Sequence, residues 1–220
     1  MKTIKTFDRD DWAALIIFII LPILVIGTSV VATAATFNVE DVTVTSYTVD
    51  QYPDLDQAIQ AGNQTFLCPY IMGEYEKSQS IEIEELATEI QLLDFTTAKM
   101  MTYEIRDEMF QRFNWDFDKY FQAVKEDGFL SEEEVRAFLK QNGYRPAILQ
   151  EVLALAAKNP RLQLNGHIIA LGTEWHHEDS SRTSVVAMYS NDVGGRNTAA
   201  MHTDSGLMEG TLFAVVKISE

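Results

Sequence analysis

From Trp12 to Thr36 the chain carries no charged side chain, and Trp12–Val31 reads WAALIIFIILPILVIGTSVV. At 1.5 Å per residue, a helix of those roughly 20 residues is about 30 Å long, the thickness of a hydrocarbon core. Thirteen of them are Leu, Ile, Phe or Val. Each of these favours insertion by about 0.3–0.6 kcal/mol, which together outweighs Pro22, Gly27, Thr28 and Ser29. Pro22 is expected to kink such a helix without preventing insertion. The expectation is a transmembrane signal anchor over residues 12–36.

Lys2, Lys5 and Arg9 precede this segment, and the next basic residue is Lys77. The positive-inside bias then places residues 1–11 in the cytoplasm and the C-terminal domain outside it, giving a single-pass membrane protein. Ala32-Thr33-Ala34 is a small-x-small sequence, so a signal peptide cleaved near Ala34 stays open as the alternative. Residues 37–41 are read as a linker and 42–220 as one exported domain.

Asp8, Asp10 and Asp11 cancel the three basic residues before the anchor, so the formal charge of −16 falls on the exported part. That field repels phosphate backbones, which excludes nucleic acid as a partner and favours cations and basic partners. Cys68 is the only cysteine, so neither an intrachain disulfide nor a thiolate zinc site is available. It reads as a small buried side chain.

Val42 to Val49 is a β-branched run and reads as a strand; Asp54 to Ala61 reads as a helix opened by Pro53 and closed by Gly62. Thr65 to Met72 reads as a short strand. Ile81 to Phe95 mixes strand and helix periods and is read as a strand ending near Phe95. Thr97 to Phe113 reads as a helix with Met101, Ile105, Met109 and Phe113 on its packed face. Asn114 to Phe129 is aromatic and acidic. Ser131 to Gln141 is a helix with a capping box from Ser131 to Glu134, and Ala147 to Lys158 is another that stops before Pro160.

After Pro160 four apolar or alternating runs follow, at 167–175, 183–190, 197–203 and 211–218, separated by turns such as Asn191-Asp192-Val193-Gly194-Gly195. The expected fold class is α+β. A transmembrane helix leads into a mainly helical stretch over 97–158 and a C-terminal antiparallel β meander over 161–220, with one sheet face under the helices.

No residue set makes a catalytic constellation, and no cofactor is implied. Asp127 to Glu134 resembles half of a calcium loop, but Ala123 and Lys125 fall where oxygen ligands are needed, so it reads as a capped helical hairpin. Adjacent His176 and His177 point to opposite faces of a strand and do not readily share an ion. His167 and His202 neighbour no nucleophile motif. Asp116 and Asp118 read as a solvated face, and Gly194-Gly195-Arg196 as a turn.

The stretch NGYRPAILQEVLALAAKNPRLQLNGHIIALGTEW, Asn142 to Trp175, resembles a family of uncharacterised bacterial proteins with a G-x-R-P-A-x-x-x-E-x-L-A-L segment. A strand I-A-L-G-S-x-W and a terminal F-x-A-V-x-K follow in that family. Gly143, Arg145, Pro146, Ala147, Glu151, Gly172, Trp175 and Lys217 are among the residues that fill those positions here. The layout is also similar to C-type-lectin-like modules, and that resemblance implies a scaffold presenting a ligand-binding surface. Residues 96–130 read as an insertion into this pattern.

The functional expectation is a membrane-anchored, extracytoplasmic, non-enzymatic recognition domain. It would hold a protein or glycan partner through the loops of its C-terminal strands, at Trp175, Tyr189, Asn191, Arg196, Asn197 and His202. The alternative is a structural or assembly subunit that docks with the other subunits of a membrane complex.

Overall fold

Val185-Val186-Ala187-Met188 and Ile168-Ile169-Ala170-Leu171 are continuous apolar runs, the pattern of strands buried on both faces rather than on one. The computed structural model describes residues 37, 39–52, 54–64, 66–67, 79–176, 183–191, 194–204 and 206–218. All lie in the second of the chain's two compact units, Thr36–Glu220.

In chain order the elements are β1 (Thr43–Thr48), α1 (Leu55–Gly62), β2 (Phe66–Leu67), β3 (Gln79–Ser80), β4 (Glu89–Asp94), α2 (Tyr103–Arg112) and α3 (Phe117–Glu126). They continue with α4 (Glu132–Gln141), β5 (Tyr144–Pro146), α5 (Leu149–Lys158), β6 (Ile168–His176), β7 (Thr183–Ser190), β8 (Arg196–His202) and β9 (Leu212–Lys217). The sheet runs β1-β4-β9-β6-β7-β8-β2, with β3 added to β6 and β5 to β9.

Alternate side chains of the central strands serve two cores. Ile90, Leu92, Ile168, Ala170, Val186, Met188 and Ala214 pack under α5 and Ala58 of α1. Their neighbours Leu93, Ile169, Leu171, Val185, Ala187, Phe213 and Val215 pack under Val135, Phe138 and Leu139 of α4. Burying one such large apolar side chain contributes about 1.5–3 kcal/mol, so the both-sided strands are the main apolar reservoir of the fold. A third cluster, Met101, Met109, Tyr120, Val124 and Phe129, holds α2 and α3 together.

Four of the short helices, α1 to α4, start where a side chain caps them. Asp54 accepts from the Gln57 amide (2.8 Å), Thr102 from Ile105 (3.2 Å) and Asp116 from Lys119 (3.2 Å). Ser131 and Glu134 form the expected capping box. Each cap is worth about 1 kcal/mol in a helix too short to persist alone.

The structure corrects the expected fold class in its sheet. No helix among the described residues is long and apolar enough to cross a membrane, and the segment 12–36 lies outside the described residues. The strands do not form a separate antiparallel C-terminal meander. β1 and β4 share the sheet with β6–β9, β9 lies between β4 and β6, and it runs parallel to β6. The reason is the two-sided burial: a sheet apolar on both faces requires helices on both, which gives a mixed α/β layering.

Candidate functional site

β6 loses its pairing with β7 between Ala170 and Glu174, and the β5–α5 corner docks into the opening. The Gly172 amide donates to the Ala147 carbonyl (3.0 Å), and the Leu149 amide donates to Thr173 Oγ1 (3.0 Å). A Cβ on Gly172 would stand 2.5 Å from the Ala147 oxygen, so the approach requires glycine.

Just behind this corner, Glu151 is 2 % exposed. Its carboxylate accepts two bonds from Arg145 (2.9 and 2.6 Å) and one each from the amides of Ile148 (3.0 Å) and Ala87 (2.9 Å). A buried carboxylate with that many donors has no free lone pair for chemistry. Arg145, Ala147, Glu151 and Gly172 are thus a structural joint.

The six expected contact residues do not form one surface. Trp175 is 2 % exposed and packs in the core under α5, which removes it as an outward anchor. Arg196 donates to the carbonyls of Gly62, Asn63 (2.6 Å) and Ala156 (3.4 Å), clamping the ends of α1 and α5. Asn191 shapes its own turn, its side chain accepting from the Gly195 amide (2.6 Å).

Asn197 is buried, with its carbonyl taken by Gln163 (3.0 Å), and half-buried Tyr189 lies beside His167. His202 Nδ1 lies 3.2 Å from the Oγ of Ser184, which is 2 % exposed. Strand register sets Trp175 and His202 at one end of the sheet, whereas Tyr189, Asn191, Arg196 and Asn197 lie at the other, about 20 Å away.

Among the described residues no group of three or more His, Cys, Asp or Glu is placed to hold a metal ion. Where His176 approaches Glu174 (3.8 Å), the guanidinium of Arg136 bridges Glu174 and Glu132. A fixed cation of the protein thus fills the space between the carboxylates. In the calcium-loop-like segment, Glu134 is spent on the capping box and Lys99 Nζ donates to the Asp127 carbonyl (2.8 Å). His177 lies outside the described residues.

The feature that stands apart is the turn between α2 and α3. The amide of Trp115 donates to the Phe110 carbonyl (2.9 Å) and that of Asn114 to Gln111 (3.1 Å), the paired bonds that end a helix in a Schellman motif. Asn114 takes the left-handed conformation such an end requires (φ 51°). Trp115 follows it there (φ 62°), which is strained for a bulky residue. Asp116 then leaves the turn to cap α3.

This backbone builds a column of three rings. Tyr120, wholly buried, stacks on Phe110 at 4.1 Å with planes 12° apart, and Phe110 stacks on Trp115 at 5.2 Å and 13°. Trp115 at the top is 62 % exposed, and Phe117 beside it 49 %. Burial pushes the Tyr120 phenol above its usual range, keeping it neutral. The hydrogen bond from Lys119 holds the Asp116 carboxyl below the usual range and raises Lys119 in turn.

The sequence reading took 114–129 as merely aromatic and acidic. The signal it held is Asp116 as a cap, with Tyr120 and Val124 at helical spacing. No family model, no curated protein and no solved structure matches this chain.

Proposed function

We propose that the domain Thr36–Glu220 is a recognition module that holds a protein partner and performs no chemistry of its own. The observation that carries this reading is Trp115, fixed on the Phe110–Tyr120 column with most of its indole in solvent. Trp is the residue most enriched at contact hot spots, and an anchor already held in place forfeits little conformational entropy on binding. The contact surface therefore belongs to the α2–α3 turn rather than to the C-terminal loops. An assembly subunit would use the same surface with a permanent neighbour, and the stoichiometry of the isolated complex separates the two.

In-cell photo-crosslinking tests the site. A photoreactive residue in place of the exposed Gln111, whose carbonyl bonds the Asn114 amide in the same turn, leaves Trp115 intact and is expected to yield one dominant adduct. The same residue at Leu164, half exposed on another part of the surface, should yield none. Equal adducts at both positions, or none at 111, would remove the turn as the contact site.

A further inference from the structure

The indole of Trp115 has one face against Phe110 and turns the other to solvent. An aromatic face attracts cations, indole most strongly. Residues 103–127, which form α2, the turn and α3, hold seven carboxylates and four cations. Three of those cations are already engaged: Arg106 with Asp107 (2.9 Å), Lys119 with Asp116 (2.8 Å), and Arg112 over the Phe113 ring. Glu104, Glu108 and Asp118 are exposed and carry no ion pair among the described residues. The ring face and the uncompensated carboxylates thus select the same sign of charge.

We infer that the turn binds a cationic polypeptide segment, an Arg or Lys side chain lying on the outward face of Trp115 with an apolar neighbour against Phe117. This rests on the reading of Trp115 as the contact anchor. A second copy of the chain fits poorly, because each copy carries a formal charge of −16 and like fields repel. An anionic lipid surface fits poorly for the same reason.

The test uses the full-length chain and three labelled peptides of equal length built on Leu and Ser, bearing Arg, Glu or only Ser at every third position, with polarisation as the readout. The Arg peptide is expected to bind, and Trp115→Ala to weaken it about five- to tenfold while Trp115→Phe retains most of the affinity. Raising the salt should weaken it further, and the Glu peptide should not bind. A far-UV circular dichroism spectrum of Trp115→Ala that overlays the parent's, with a cooperative melt lowered by only about a few degrees, shows that the fold is intact.

If the Ser peptide binds as tightly as the Arg peptide and both depend on Trp115, the anchor stands and its cation preference is overturned. If the Arg peptide binds equally well to Trp115→Ala, attraction is diffuse and both the preference and the anchor fall. Binding to phosphatidylglycerol vesicles that Trp115→Ala abolishes would overturn the polypeptide assignment.

Discussion

At the β5–α5 corner a carboxylate lies almost wholly out of water and the donors around it point inward. At the α2–α3 turn the backbone bonds only shape the chain, and an indole is left outside. The first region holds residue types that often suggest chemistry, Arg, Glu and Thr, beside a glycine, and uses each to close a joint. The second holds aromatic residues that usually suggest a core and displays two of them. Residue type therefore misleads in both places. What separates them is whether polar groups and rings end on the protein or on solvent.

The sharpest way to break that contrast is Glu151→Ala. It leaves the Arg145 guanidinium half-buried without its partner and deprives two amides of an acceptor, a loss of about 3–5 kcal/mol in denaturant unfolding. A loss under about 1 kcal/mol would mean that the corner is not a structural joint, and the contrast would collapse.

Gly172→Ala probes the same corner by volume rather than by charge. Its methyl group would meet the Ala147 oxygen at 2.5 Å, and the backbone shift needed to accommodate it costs about 1–3 kcal/mol. A neutral result would show that the opening in β6 can widen freely.

Much of this corner was legible in the sequence as pattern but not as role. The strand and helix near Gly172 and Glu151 follow from apolar periodicity and caps, which act within a few residues. That Glu151 meets Ala87, or that Arg196 reaches Gly62 and Ala156, depends on pairings of distant segments that periodicity does not encode. The order β4-β9-β6 is invisible for the same reason. Trp175 and Trp115 look alike as letters; only the sheet's second layer of helices buries the first and leaves the second outside.

His167 gives a pH test of the sheet end that holds Tyr189. Burial lowers its pKa below the ordinary 6.5, so the folded protein resists a proton that the unfolded chain accepts. The unfolded state then binds more protons just below pH 6.5, and stability falls as pH drops from there toward the lowered folded value. His167→Gln should flatten that part of the profile measured by thermal unfolding at stepped pH. A variant with the same acid slope as the parent would assign the slope to other groups.

The smallest effect tests the turn itself, through a comparison of two truncations at Trp115. Both remove the stack on Phe110, worth about 0.5–1.5 kcal/mol. Ala keeps the left-handed strain of φ 62°, whereas Gly adopts that conformation readily, a difference of about 1 kcal/mol. Trp115→Gly should therefore be the more stable of the two in urea, although Gly ordinarily destabilises relative to Ala. The sign matters more than the size. Gly above Ala means that the paired bonds to Phe110 and Gln111 dictate the backbone and the indole is carried outward by it. Ala above Gly would mean that ring stacking had imposed the conformation, so the exposed face would be a by-product of packing rather than a display.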